Sequence, residues 1–459
     1  MRRSALIPLT AAGAAFLAMF DATVVNLAIP DLAVDHPAAE TADLTWVITL
    51  YAVCLAALLA PAGRLADLLG ARTVFVAGTA VFTAASVGCA LAPELAVLFA
   101  GRAVQGAGAA AMLPASLAIL LRNTPPERRA GAIGLWGASS AIAAAVGPSG
   151  GGLLVEAWDW HALFLINLPL GLLLILGVLA ASPADARGKG RWPDFTGTAL
   201  LGVGVGGLVL GLTLGQEWGW GSARTAAVLA VGVASTGLAL WRSSRHPVPA
   251  IETGLWRNPW YAWTNLATFL YGTALFPWLF VGILYLTDVW GYTGLEAGLA
   301  QSPGAVTASV TALLSGRFIS RYGPRPAIIG GALIMVATVV WIRLALTPEP
   351  EFLAFWLPSG LFVGIGMGAL ATGVASSAAL AVAPERFAGA VGLNTAARQI
   401  GGALGVAAIA VILPAGTSAA HGDYLNVYLF CGAAAFATAV AGAALYALRP
   451  APAPSVSPA

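Results

Sequence analysis

Residues 5–29 read ALIPLTAAGAAFLAMFDATVVNLAI, an apolar run with a single acid, Asp21, set in its second half. A helix needs about 20 apolar residues to cross the hydrocarbon core of a bilayer. The run does not alternate as the strand of a membrane barrel must. Comparable runs recur at 7–29, 44–62, 73–92, 96–121, 131–154, 162–181, 196–214, 223–241, 262–287, 297–316, 326–346, 353–380, 389–412 and 427–448. The expected fold is therefore an all-α polytopic membrane protein with fourteen transmembrane helices joined by short polar breaks. Arg2 and Arg3 precede the first run as in a signal peptide, but Asp21 interrupts it and apolar residues resume, so it reads as an uncleaved first span.

Composition agrees. Of the 459 residues, 59% are hydrophobic and 9% are Asp, Glu, Lys or Arg, against about 25% charged in a soluble domain. Mean hydropathy is +0.85. Neither a soluble globule nor a disordered chain has such numbers. A net charge of +2 leaves no basic surplus for nucleic acid. Cys54, Cys89 and Cys431 lie in apolar runs without a paired spacing and read as small buried hydrophobes. Glycine totals 55, which suits membrane helices that pack through small residues.

Charge placement tests the span count independently. With a cytoplasmic N-terminus, every basic residue except Arg102, Arg224, Arg343 and Arg398 falls in an inner segment. Flipping one span would scramble that segregation, so the positive-inside rule supports an even count with both termini cytoplasmic. A repeat is also visible. Gly63-Arg-Leu-Ala-Asp67-Leu-Leu-Gly70-Ala-Arg72 follows span 2, and Gly316-Arg-Phe-Ile-Ser320-Arg321-Tyr-Gly323-Pro-Arg325 follows span 10, 253 positions later. Two six-helix halves, 1–181 and 259–459, separated by a two-helix insert with its cytoplasmic linkers at 182–258, account for the spacing. Such parallel repeats are built into secondary transporters, with the substrate site between the halves near the midplane.

These residues resemble the major facilitator superfamily. Gly63, Leu65, Asp67, Gly70 and Arg72 match its cytoplasmic signature, and the second copy departs from it at Ser320. Arg102-x2-Gln105-Gly106-x-Gly108 is similar to the proton-linked motif of span 4. Gly147-Pro148-Ser-Gly-Gly151-Gly152 resembles the antiporter motif of span 5, with Ala143 where a further glycine is expected. Asp21-Ala-Thr23-Val-Val-Asn26-Leu-Ala28-Ile-Pro30 resembles span 1 of the fourteen-span drug:proton antiporters. Trp160-His161-Ala162-Leu-Phe164-Leu-Ile-Asn167-Leu-Pro169 is similar to a further motif of that group, with His161 and Ala162 replacing Arg and Trp. Asn394-x3-Arg398-Gln399-x-Gly401-Gly402 is similar to its span 13. The resemblance implies a major facilitator fold of two six-helix halves plus two extra central helices, and export of drugs in exchange for protons.

The drive must then be an ion gradient. The only lysine, Lys189, is preceded by Pro183 and followed by Gly190, which breaks the phosphate-loop pattern at both ends. His36, His161, His246 and His421 lie scattered in loops on both faces, so no metal or other cofactor is expected and an enzyme is excluded. Three charges fall inside spans: Asp21, Arg102 and Arg398. Each costs about 2.5–3.5 kcal/mol at a helix centre on an insertion scale. Asp21 is the sole acid well inside a span, and a carboxyl whose surroundings alternate between apolar and cationic takes up and releases protons. A permanent pair that only pins helices is the competing reading. Arg102 is assigned to tuning that carboxyl, held by Gln105. Arg398 either contacts an anionic or polar part of the substrate, or snorkels or lines water in the cavity. Asp67 and Arg72, with Gly63 and Gly70, are read as a cytoplasmic gate. Gly147-Pro148 bends or breaks span 5, and Gly151 and Gly152 allow tight packing beside it.

Asn26, Gln105, Asn265, Phe269, Tyr271, Phe276, Asn394, Arg398 and Gln399 are the candidate lining of a mostly apolar substrate cavity. The full expectation is a monomeric, multi-pass carrier of the inner (plasma) membrane. It exports hydrophobic or amphipathic drugs or antibiotics against protons, with export or symport of a specific metabolite as the alternative.

Overall fold

The computed structural model describes residues 3–37, 39, 41–182, 194–413 and 420–448. The basic residues expected on inner segments at Arg2, Arg187, Lys189, Arg191 and Arg449 lie outside the described residues. The described chain is helical throughout. The long helices are α1 (Arg3–Val24), α2 (Trp46–Leu69), α3 (Ala71–Ala90), α4 (Leu95–Arg122), α5 (Arg129–Ala157), α6 (Asn167–Ala181) and α7 (Phe195–Trp218). They continue with α8 (Ala223–Ser243), α9 (Pro259–Asp288), α10 (Gly294–Tyr322), α11 (Pro324–Ala345), α12 (Leu357–Leu380), α13 (Phe387–Ile412) and α14 (His421–Ala444).

Local sequence sets several of these ends. Ser222 caps α8 by accepting from the Thr225 N–H, and Asn258 caps α9 ahead of Pro259 at the first helical position. Thr293 and Glu296 form a reciprocal capping box on α10. Gly70 between α2 and α3 has φ 100°, and its repeat counterpart Gly323 between α10 and α11 has φ 79°. Both turns need a residue without Cβ.

Among the described residues, 12 helical segments are long and apolar enough to cross a membrane. The sequence leads to an expected count of fourteen. The two remaining expected spans fall in α10 and α13, helices of 29 and 26 residues that carry polar side chains along their length. α10 carries Glu296, Gln301, Ser302, Ser309, Ser315 and Arg317, and α13 carries Asn394, Thr395, Arg398 and Gln399.

Helices α1–α6 pack chiefly on one another, as do α9–α14. Two seams join the groups, α2 against α13 and α5 against α10. The α7–α8 pair packs through α7 on α2 and α13, and Arg242 of α8 grips the Asp194 carboxylate at 2.8 Å. Burial works to raise the Asp194 pKa, but the Gly197 N–H and Arg242 together outweigh it and hold the carboxyl below its ordinary range.

The two seams are one contact made twice. A Cβ on Gly392 would stand 2.4 Å from the Leu59 carbonyl oxygen, and a Cβ on Gly134 would stand 2.3 Å from that of Ala312. Gly63 lies equally close to Ala388, and Gly316 to Gly131. Positions 134 and 392 stand 258 apart, and positions 59 and 312 stand 253 apart, so each member of one seam has its counterpart in the other. A Pro-Glu-Arg turn leads into both α5 and α13, at Pro126–Arg128 and Pro384–Arg386. Cys89 and Cys431 are buried, Cys54 is half-buried, and all three are free thiols.

Helices α9 and α13 meet as closely, because a Cβ on Gly401 would lie 2.1 Å from the Phe269 carbonyl oxygen. Gly401→Ala therefore has to move backbone and should lose about 1–3 kcal/mol, whereas Gly137→Ala, with no atom within 4 Å of its Cβ, should stay within about 0.5 kcal/mol. Thermal unfolding of the two purified variants in detergent checks this contrast.

Candidate functional site

Arg102 and Gln105 are three residues apart on α4 and so share a face. The glycines around them let the neighbouring helices close in. A Cβ on Gly106 would lie 2.5 Å from the Tyr51 carbonyl oxygen of α2, and one on Gly108 would lie 2.5 Å from the Phe82 nitrogen of α3. This close approach brings Tyr51 and Ser86 up to the Arg102–Gln105 face. Asp21 arrives from α1 and Asn167 from the first turn of α6. Asp21, Ser86, Arg102, Gln105 and Asn167 are all 0% exposed.

Their hydrogen bonds form one network. Arg102 Nη1 donates to Asp21 Oδ2 at 2.7 Å and to Gln105 Oε1 at 2.6 Å, and its Nε donates to the Val47 carbonyl at 2.8 Å. The guanidinium carbon stands 4.4 Å from the centre of the Tyr51 ring, a cation–π contact. Asp21 Oδ1 accepts from Gln105 Nε2 at 2.7 Å and from Asn167 Nδ2 at 2.9 Å. Ser86 Oγ accepts from the same two amides, at 3.1 and 2.9 Å, and donates to the Phe164 carbonyl at 2.9 Å. Among the described residues, every group that meets the Asp21 oxygens is a donor, an arrangement that suits a carboxylate. The Asn167 Oδ1 is buried with no partner.

The glycines of span 5 press on the helix that carries Asp21. A Cβ on Gly147 would lie 2.3 Å from Thr23 Oγ1, and one on Gly151 would meet Leu27 and Val24 at 2.7 and 3.0 Å. Gly152 faces open space. Of the two expected effects of Gly147-Pro148, a bend or a break, the break does not occur, because α5 runs helical from Arg129 to Ala157; the side chain of Pro148 lies outside what is described. A single proline is tolerated in a membrane helix where neighbouring groups satisfy the freed backbone.

A second charged cluster closes the end of the molecule where the basic residues gather. The Asp67 carboxylate accepts from the Ala388 N–H at 3.1 Å and the Gly389 N–H at 2.7 Å, in the first turn of α13. An anion there also meets the positive end of the helix dipole. Arg122, the last residue of α4, donates to Asp67 Oδ1 at 3.1 Å and to the Pro384 carbonyl at 3.1 Å. Glu252 bridges Arg386 at 2.9 Å and Arg64 at 3.6 Å. At the acid's repeat position, the Ser320 hydroxyl reaches the Glu127 carbonyl across the seam and the Gly316 carbonyl of its own helix. Arg72 donates to the Leu179 carbonyl of α6, within the same helix group.

The candidate cavity residues do not form one site. Gln105 belongs to the Asp21 network. Asn26 is exposed and donates to the Thr23 carbonyl of its own turn. Asn265 and Asn394 bond each other across α9 and α13 at 3.3 Å, and Asn394 also donates to Thr268 at 2.8 Å. Phe276 packs over Gly402. Tyr271 donates to the Met367 carbonyl of α12 at 3.3 Å. Phe269, Arg398 and Gln399 stay partly exposed. Sequence reasoning missed Ser86, Arg122, Glu252 and the part played by Asn167; only Asn167 carried a signal, through its place in the Trp160–Pro169 motif.

A family model described as Major Facilitator Superfamily matches residues 11–405 and 265–459. The chain belongs to that superfamily and is a multi-pass membrane transporter rather than an enzyme. Multidrug resistance protein Stp of Mycobacterium tuberculosis is 32% identical over 428 residues, covering 93% of this chain and 79% of that protein. Cephamycin export protein CmcT of Amycolatopsis lactamdurans is 34% identical over 436 residues, covering 93% and 89%. Puromycin resistance protein pur8 of Streptomyces alboniger is 34% identical over 418 residues, covering 90% and 82%. The solved structure of the human organic anion transporter MFSD10 (TETRAN) aligns with a TM-score of 0.68 over 95% of this chain and 100% of that chain. Its identity of 16% shows a shared fold alone.

Removing Arg102 would strand the enclosed Asp21. Arg102→Met should cost about 3–5 kcal/mol, and adding Asp21→Asn to the same chain should recover much of it. Thermal midpoints of the two single variants and the double variant decide; losses that simply add would show that the pair does not interact.

Proposed function

We propose that this chain is a proton-coupled secondary transporter that exports hydrophobic or amphipathic drugs or antibiotics by alternating access. The observation that carries the proposal is the enclosed Asp21, met only by donors and paired with a guanidinium that cannot lose its proton. Uptake of a proton breaks the charge attraction to Arg102 and turns one acceptor oxygen into a donor. A half-turn of the Asn167 amide would present its unpartnered Oδ1 to that new O–H. Asp21 thus has a neutral and a charged arrangement, each with partners of its own.

The matched seams, closed at Gly63–Ala388 and Gly316–Gly131, support rocking of two halves, 1–181 and 259–459, against each other. In this reading the insert and linkers at 182–258 ride on the α2–α13 seam, and α10 and α13 also cross the membrane to give fourteen spans. The protein sits in the inner (plasma) membrane as a monomer, with both termini cytoplasmic. The Asp67–Arg122 cluster then locks the cytoplasmic end, so the described conformation is closed inward.

The cycle follows from those positions. A proton from outside neutralises Asp21 and favours opening inward. Substrate binding from the cytoplasm or inner leaflet favours its release, Asp21 re-pairs with Arg102, and the halves rock outward. Gly147 and Gly151, packed on α1, hold Asp21's helix tight against ion leak during the exchange. One inward proton supplies about 2.3 kcal/mol per 100 mV, plus the contribution of the pH difference. A second reading, export of one particular metabolite, is favoured by relatives named for single compounds, such as the cephamycin and puromycin proteins.

Purified protein reconstituted in vesicles should release protons when a transported drug is added, and Asp21→Asn should abolish that release. Everted vesicles energised with a proton gradient should accumulate the drug. Undiminished release by the variant, or accumulation only in right-side-out vesicles, would contradict the proposal.

A further inference from the structure

A second cation set inside a long helix, the partly exposed Arg398, stands in contrast to Arg102. No hydrogen bond or ion pair ties its side chain to any described residue, and its Nε is buried without a partner. The contacts of α13 fix the direction it faces. Gly389 and Gly392 meet α2 at Asp67 and Leu59, while Gly401 and Gly405 meet α9 at Phe269 and Thr273. Leu393 and Ile400 pack with residues of the insert helix α7. Arg398, seven residues before Gly405 and with its own backbone against Gly272 of α9, lies at the α9 edge of the remaining arc. Val391, seven residues earlier and so on nearly the same face, packs in a cluster with Ala115 and Leu117 of α4 and Ala379 of α12. That arc looks into the space between the halves. Tyr271 of α9 stands within electrostatic range of the guanidinium.

An arginine is always charged, and one at membrane depth without a counter-ion is costly. Arg398 begins the fourth turn of α13, roughly 17 Å along the axis from its first residue at 1.5 Å per residue. A lipid headgroup at the membrane surface lies out of reach at that depth. The guanidinium fork matches the two oxygens of a carboxylate, and Phe269, Tyr271 and Phe276 of the facing helix offer apolar surface beside it. We propose that Arg398 docks the carboxylate of an amphipathic anion whose apolar ring system lies along α9, which makes aromatic carboxylic acids the preferred substrate class. The inference rests on the export reading, in that the space between the halves is the substrate path, but it concerns binding alone.

The test compares pyrenebutyrate with pyrenebutanamide, which share ring and chain length and differ in charge. Binding to the full-length protein in detergent is read by energy transfer from tryptophan to pyrene, with no proton gradient present. The wild-type protein should bind the carboxylate at least about tenfold more tightly than the amide, the scale expected of hydrogen bonds to a charged group. Arg398→Gln should lower carboxylate affinity to that of the amide and leave the amide unchanged, and Arg398→Lys should fall between. Equal affinities in the wild-type protein, no binding of either compound, or a preference that survives in Arg398→Gln would each overturn the proposal. If Arg398→Gln fails to fold, the wild-type comparison and Arg398→Lys still decide. Loss of the preference with intact drug-driven proton release removes the anion site and leaves export standing; carboxylate preference without any proton release does the reverse.

Discussion

The structure depends on one enclosed ion pair. Asp21 and Arg102 are removed from water, and the desolvation of two such charges is offset only when geometry is good and every remaining polar atom finds a partner. Here α1, α2, α3, α4 and α6 each supply a group: Asp21, the Val47 carbonyl, Ser86, Arg102 with Gln105, and Asn167. The five helices are held in register by what that pair demands, and a change in the charge of either member is felt by all of them. Charge state and helix arrangement are therefore linked by construction, which is what an ion-driven carrier requires.

The two seams show how a repeat becomes directional. Gly63 and Gly316 make the same close approach, and the turns at Pro126–Arg128 and Pro384–Arg386 are copies. Only one copy keeps the acid. Asp67 takes two backbone N–H groups of α13 and the Arg122 guanidinium, whereas Ser320 reaches across the seam only to the neutral Glu127 carbonyl and otherwise to its own helix at Gly316. Charge-assisted bonds are roughly twice as strong as neutral ones, so the seams differ in strength though not in shape.

Much of this was legible in the sequence and some was not. Apolar runs and arginine placement located the helices to within a few residues, because bilayer thickness and the cost of buried charge dictate both. The same reasoning marked α10 and α13 as spans, and the structure makes both long helices with polar side chains along them. Asp21, Arg102 and Gln105 were singled out by charge in an apolar setting and by their spacing. Ser86 left no trace, since a serine in a glycine-rich membrane helix is ordinary and only the third dimension sets it beside Asn167. Asn265 and Asn394 were assigned to a cavity because polar groups in spans draw that reading, yet they bond each other across a helix seam. A lone sequence cannot tell an amide that awaits a substrate from one that already has a partner.

The central claim is that Asp21 changes its protonation as the transporter works. Infrared difference spectroscopy on reconstituted protein, with Asp21→Asn as the reference, measures this directly through the carbonyl stretch of a protonated carboxyl. The account predicts a band that grows as the pH is lowered, disappears when a transported drug is added, and is missing from the variant. A carboxyl that stays ionised at every pH, with and without drug, would contradict it and leave the Asp21–Arg102 pair as a helix pin alone.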